Sequence, residues 1–195
     1  LKWIPECQVW PVIIYLLGFW SFDLSSATDR FPLTFQEAVR KCLFNKVVAF
    51  SWIHSGLRVN VFSAPNGLKG ALKFIKFCAG QPLGFLSSWP LFALCHHILV
   101  WIAAELLYPG KRFKDYALLG DDIVIADKAV ANRYLQYLKT IGVEVSLAKT
   151  LVSSSGAAEF AKQFLVKGLS VDCSPISVKA LLSCQNPYLF MGYGQ

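Results

Sequence analysis

The residues of this chain best suited to chemistry are three carboxylates. Asp121 and Asp122 follow Gly120 between two apolar runs, Tyr116–Leu119 and Ile123–Ala126, while Asp23 lies near the end of a third run that begins at Phe19. An acid at the end of an apolar strand loses hydration unless it meets solvent, a base or a cation. If the strand and the hairpin are neighbours, the three acids converge. Hard divalent cations take oxygen ligands, and two of them roughly 3.5–4 Å apart stabilise both the attacking and the leaving oxygen of a phosphoryl transfer. The set therefore suits nucleotidyl transfer. The plainer alternatives are a solvated Gly-Asp-Asp turn and, for Asp23, a cap preceding a helix. The apolar flanks weigh against the first, because an ordinary surface turn needs no strands buried on both faces.

The elements that must position these acids can be read from periodicity. Tyr116–Leu119 and Ile123–Ala126 form a predicted hairpin, with Gly120 free to take a positive φ in its turn. Phe19–Leu24 reads as a short strand, followed by the polar turn from Ser25 to Arg30, with Pro32 in the first turn of a helix. Phe35, Ala38, Val39, Cys42, Leu43 and Val47 recur at helical spacing and are expected to form its buried stripe. Ser51–Lys76, broken by Gly56, Pro65-Asn66-Gly67 and Gly70, reads as short extended pieces. Gly80–Gly84 is a loop, and Ser88–Leu107 a buried helix. Val130, Tyr134, Tyr137, Leu138 and Ile141 mark a last helix that Gly142 stops, and Val143–Leu147 is strand-like. The order of elements is α+β.

Composition sets the outer bounds. Of 195 residues, 55% are hydrophobic and 16% charged, with 15 Phe, 7 Tyr and 6 Trp, which excludes a disordered chain and leaves more apolar surface than one small core hides. Nineteen Lys and Arg against 12 Asp and Glu give a net charge of +7, favouring a polyanionic partner such as nucleic acid, although the basic residues are scattered. The six cysteines, Cys7, Cys42, Cys78, Cys95, Cys173 and Cys184, show no C-x-x-C pair and are expected as buried free thiols in a reducing compartment. The apolar runs Val9–Trp20 and Leu91–Leu107 fall short of the ~20 residues of a membrane span and are expected as core. His96 and His97, inside the second run, are expected as satisfied core histidines. The start at Leu1 reads as a cut or truncation, with no signal or transit layout.

Longer motifs accompany the acids. The stretch Phe22-Asp23-Leu24-Ser25-Ser26-Ala27-Thr28-Asp29-Arg30-Phe31-Pro32 resembles motif A of the RNA-dependent RNA polymerases of mitoviruses, which replicate in mitochondria of fungi and plants. Gly80-Gln81-Pro82-Leu83-Gly84-Phe85-Leu86-Ser87-Ser88-Trp89, continuing to His96-His97, resembles motif B. Leu118-Leu119-Gly120-Asp121-Asp122-Ile123-Val124 is similar to motif C, Ile141 through Thr150 to motif D, and Glu159-Phe160-Ala161-Lys162 to motif E. The five stand in the family's order and cover roughly Trp20 to Phe164.

The resemblance implies a right-hand polymerase palm, an antiparallel sheet with packed helices, over residues 18–165. Residues 1–17 stay unassigned, and 166–195 read as a thumb remnant or tail. It further implies that Asp23 and Asp121 hold Mg²⁺ or Mn²⁺ with Asp122 assisting. The partners implied are an RNA template and product and ribonucleoside triphosphates, in mitochondria. Asp29 would face the ribose 2′-hydroxyl, or else pair with Arg30 or cap the next helix. Arg30 and Lys162 are candidates for phosphate contacts. Gly84, Ser87 and Ser88 would form the template- and ribose-handling loop, or else a plain helix cap. Lys149 would protonate or neutralise the departing pyrophosphate, or else be simply solvated. Position 92 is Phe where many RNA polymerases carry Asn, which leaves Asp29 without an assigned partner. Recognisable fingers and a full thumb do not fit within 195 residues. Two readings therefore stand: an active nucleotidyltransferase whose finger and thumb segments lie elsewhere, and a silent, truncated viral relic with at most weak RNA binding. A non-enzymatic RNA-binding module is the third.

Overall fold

A computed structural model describes residues 18–54, 59–66, 71–146, 149–167 and 173–174. The expectations for residues 1–17, for Cys7 and Cys184, and for the C-terminal tail lie outside them. Four strands make the central sheet: β1 (Phe19–Asp23), β4 (Tyr116–Leu119), β5 (Asp122–Ile125) and β6 (Leu151–Ser153), in the order β4-β5-β1-β6 with every pairing antiparallel. The helices are α1 (Ala27–Arg30), α2 (Leu33–Leu43), α3 (Lys46–Ile53), α4 (Ser88–Glu105) and α5 (Lys128–Ile141). Two hairpins complete the described elements, β2–β3 (Phe62–Asn66, Ala71–Ile75) and β7–β8 (Ala157–Phe160, Gln163–Val166).

Side chains alternate across the sheet, so each strand serves two layers. Phe22, Leu24, Tyr116, Leu118, Ile123 and Ile125 face the helices, meeting Phe92, Cys95, Leu99 and Ala103 of α4 and Val130, Tyr134 and Leu138 of α5. Phe19, Ala117 and Val124 point the other way and are covered by Ala158 and Phe160 of β7. A central strand buried on both faces explains the near-continuous apolar runs around the acids. The ends of α5 follow from local chemistry. Asp127 accepts from the Val130 N–H at 2.9 Å as its N-cap, and Gly142 closes it at φ 77°.

Four expectations need correction. The buried face of α2 is Leu33, Gln36, Val39 and Arg40, whereas Ala38, Cys42, Leu43 and Val47 are exposed. Polar residues take the place of the apolar stripe: Gln36 donates to the Phe31 carbonyl and the Arg40 guanidinium lies 4.3 Å over the Trp52 ring, while Gln36 Oε1 and Arg40 Nη1 and Nη2 are buried without a hydrogen-bond partner among the described residues. Ser51–Ile53 is the end of α3, started by Asn45 capping the Val48 N–H, and the extended reading holds only for the later hairpin. Of the Val143–Leu147 strand reading, whose last residue lies outside the described ones, residues 143–146 show one bridge between Val145 and Leu24, since β1 ends at Asp23 and Ser26 turns away at φ 51°. Of the cysteines described, Cys95 is buried but Cys42, Cys78 and Cys173 are exposed free thiols.

The α+β layering stands, as does the helical reading of Ser88 onward. No helix among the described residues is long and apolar enough to cross a membrane. The apolar surplus is also visible: Phe44, Val47, Phe50 and Phe74 are more than half exposed.

Phe92 is fully buried and packs edge-on against Phe31 at 5.2 Å. Phe92→Ala is expected to cost about 3–5 kcal/mol in urea denaturation, whereas Phe74→Ser at an exposed hairpin position should stay within about 0.5 kcal/mol.

Candidate active site

Register brings the acids together. In the β1–β5 pairing Asp23 stands directly opposite Asp122, so both side chains leave the sheet on the face away from α4 and α5. Asp121 occupies the β4–β5 turn, where Gly120 takes φ 62° and a Cβ would collide with the Trp89 ring. A side chain at Gly120 is thus excluded by conformation and by space.

These residues line a cleft of about 450 Å³ together with Ser21, Lys149, Glu159 and Lys162. Lys149 Nζ lies 3.1 Å from Asp23 Oδ2, with two thirds of the lysine side chain exposed. Lys162 reaches the rim from the β7–β8 turn. Its two central residues, Ala161 (φ 52°) and Lys162 (φ 64°), both hold the left-handed conformation that such tight hairpins demand and that costs a residue with a Cβ.

The electrostatics follow from this crowding. Asp122 is pushed above the usual carboxylate range, first by burial, then by the like charges of Asp121, Asp23 and Glu159, against which Lys149 acts. The Lys149 ammonium is held above its ordinary value by its hydrogen bond and attraction to Asp23, then by Asp121 and Asp122. One cation therefore feels all three acids. Four acids against two lysines leave the cleft lining an excess of two negative charges, the charge of one divalent ion.

The donor set is made of hard carboxylate oxygens, which suits Mg²⁺ or Mn²⁺. Among the described residues no three acids, histidines or cysteines are drawn onto a single point as a finished metal cluster. The fit therefore rests on donor chemistry and on the shared field at Lys149.

The remaining candidates are placed elsewhere. Asp29, Arg30, Gly84, Ser87 and Ser88 do not line the cleft. Arg30 pairs with Glu144 at 2.9 Å rather than with Asp29, and the Asp29 carbonyl accepts from the Gly80 N–H. Ser88 is buried, and its hydroxyl donates to the Pro82 carbonyl at 2.7 Å. Gly84 sits in open space; the close backbone approach occurs at Gly80, where a Cβ would strike Thr28 and Asp29. His96 is a satisfied core histidine, as expected, and burial drives it down to about 4, so the ring is neutral near pH 7. Glu159 is the cleft residue that sequence reasoning missed as a site; its place on a strand reading Ala-Ala-Glu-Phe, polar between two buried neighbours, was the available signal.

Comparison with known proteins decides the family. The family model of the mitovirus RNA-dependent RNA polymerase matches residues 11–191. The chain belongs to this family.

An uncharacterized mitochondrial protein of Arabidopsis thaliana is 48% identical over 164 residues, spanning 83% of this chain and 65% of that protein. The RNA-directed RNA polymerase of Cryphonectria parasitica mitovirus 1 is 40% identical over 145 residues, 74% of this chain and 17% of the viral protein. This mitovirus-type chain thus spans just under two thirds of its plant relative and a small part of the viral one. Its fold is that of polymerase palms. An apo telomerase from Candida tropicalis, truncated of its C-terminal domain, superposes with a TM-score of 0.60 at 17% identity, over 78% of this chain and 34% of that one. A loop-deletion mutant of the RNA-dependent RNA polymerase of a human picobirnavirus gives 0.59 at 19%, over 79% and 30%. At such identities the likeness concerns the fold alone.

A carboxyl group raised by folding destabilises the fold once ionised. The stability that Asp122 contributes is therefore full below the ordinary carboxylate value and is lost as pH rises through its raised one. Asp122→Asn is expected to raise the melting temperature at pH 7, the gain disappearing below about pH 4; a gain that persists in acid would contradict the cost assigned to the ionised, buried and crowded carboxylate.

Proposed function

We propose that the chain carries the catalytic palm of an RNA-directed RNA polymerase, adding ribonucleotides to an RNA 3′ end on an RNA template. The observation that carries the reading is the in-register pairing of Asp23 with Asp122, with Asp121 and Lys149 at the same cleft, in a chain of the mitovirus polymerase family. Asp23 and Asp121 would hold two divalent cations, with Asp122 assisting. When bound, Mg²⁺ or Mn²⁺ supplies Lewis-acid charge for the attacking and leaving oxygens.

The reaction asks of the protein chiefly positioning and electrostatics. The 3′-hydroxyl of the growing RNA attacks the α-phosphate of a ribonucleoside triphosphate, the bond to the β-phosphate oxygen breaks, and pyrophosphate departs. Lys149, cationic and largely exposed at the cleft, is suited to meet that pyrophosphate with charge or a proton. Lys162 offers a second cation at the rim for phosphate. Asp29, on α1, and Gly84 and Ser87 remain the candidates for ribose and template, while Ser88 braces the loop that carries Gly84 and Ser87, and Arg30 is engaged with Glu144. Phe92 is core, so the recognition of the 2′-hydroxyl falls to Asp29 without an asparagine at that position. Mitochondria are the proposed place of action, supported by the mitochondrial plant relative and the mitovirus polymerase.

On a primed RNA template with ribonucleoside triphosphates and Mg²⁺, the chain is expected to extend the primer, and Asp121→Ala to lose at least about 100-fold in rate. Equal extension by the variant would refute the metal role. Absence of extension by the parent would refute autonomous activity of this length of chain.

A further inference from the structure

His96 belongs to α4 beneath the sheet, yet its ring reaches the hairpin turn that presents two of the acids. Nδ1 lies 2.8 Å from the carbonyl oxygen of Gly120, and Nε2 lies 2.6 Å from the hydroxyl of Tyr134 on α5. Both side chains are fully buried, and their rings stack at 5.8 Å. A carbonyl oxygen only accepts, so Nδ1 carries the hydrogen; in a neutral imidazole Nε2 is then the acceptor and Tyr134 must donate to it. A single hydrogen arrangement satisfies every atom in the row.

The contact is placed where small movements matter. The Gly120 carbonyl belongs to the peptide that leads into Asp121, so its orientation is set jointly with ψ of Gly120 and φ of Asp121, the torsions that aim the turn carrying Asp121. The turn is held from a second side by Trp89, whose ring lies against Gly120. Trp89 and His96 both come from α4, which follows directly on the Gly80–Gly84 loop. Packing alone does not need the imidazole, because an apolar side chain of similar volume fills the same space; the anchor needs a donor at Nδ1.

Resting on the reading of the cleft as a divalent-cation site, we propose that His96 is a positioning residue for the acids. Its Nδ1–H anchors the Gly120 peptide, Tyr134 fixes the tautomer that makes this possible, and the pair sets the affinity of the cleft for a divalent cation. The same strut ties the turn to α4, so the loop before that helix and the acids move as one body.

The probe is Mn²⁺ alone, with the free ion followed by electron paramagnetic resonance below the melting temperature of every variant. His96→Leu keeps apolar volume and removes the donor; its Mn²⁺ affinity is expected to fall about tenfold. His96→Asn places an amide N–H near the Nδ1 position and is expected to stay within about threefold of the parent, even though it loses the Tyr134 contact and some thermal stability. Equal Mn²⁺ affinity in His96→Leu and the parent overturns the proposal. If His96→Leu does not fold, Tyr134→Phe decides: weaker Mn²⁺ binding supports the strut and unchanged binding overturns it. A parent chain that takes up no Mn²⁺ overturns the reading of the cleft and the positioning role together, an outcome distinct from normal binding in parent and His96→Leu alike.

Discussion

The structure depends on one arrangement, the placing of Asp23 and Asp122 side by side across two hydrogen-bonded strands. Like charges directly opposite in a sheet are destabilising, and here a third acid in the turn and a fourth on β7 add their repulsion to the burial that raises Asp122. The register cannot relieve this by slipping. A shift of one residue would turn Ile123 and Ile125 away from the helices and Val124 into them, exchanging the two cores. The hydrophobic pattern on both faces therefore fixes an electrostatic arrangement that local charge would undo.

The support for that arrangement is asymmetric. Beneath the sheet, α4 and α5 supply an apolar layer crossed by a fully buried polar row, Tyr134 to His96 to the Gly120 carbonyl, and by the part-buried contact of His97 with the Tyr116 hydroxyl. Above it, the cover is a small hairpin that buries little beyond Ala158 and Phe160 and leaves the cleft open beside them. The backbone bond from the Ser146 N–H to the Asp23 carbonyl brings the segment before Lys149 against the end of β1. Strands β1 and β5 thus carry Asp23 and Asp122, Asp121 sits in the turn between β4 and β5, and Lys162 sits in the turn between β7 and β8.

Much of this was legible in the residues because the strongest constraints here are local and periodic. The hairpin at Gly120 and the helix stop at Gly142 follow from apolar patterns ended by a glycine, α4 follows from the length of an apolar stretch without breakers after Pro90, and each lies where it was read. That β1 and the hairpin are neighbours stood in the sequence only as a condition for the acids to converge, and the β1–β5 register meets it. What failed were the decisions made by tertiary partners. Helix α2 presents two faces of helical period, and only its neighbours select the one with Gln36 and Arg40 over the more apolar one. Likewise α3 carries apolar residues all round, so its sequence does not distinguish a helix from an extended segment. Glu159 was read only as part of a motif and not as a site residue, because the local pattern shows that it leaves its strand on the side opposite Ala158 and Phe160 but not that the docking of β7 brings it to the acids.

The lysine at Asp23 shows how such a site stays folded while charged. An acidic cleft with no cation near it would bear the full repulsion of its acids, and a cation held permanently would block the ligand. Lys149 lies between these extremes. Its ammonium contacts Asp23 and is drawn by Asp121 and Asp122, yet most of the side chain is in solvent, so the attraction is screened and the chain can swing out with little loss of packing. A buried arginine in the same place would bind the acids more firmly and withdraw at greater cost. An exposed lysine is therefore a residue type that can steady crowded acids and still withdraw from them without unpacking the core.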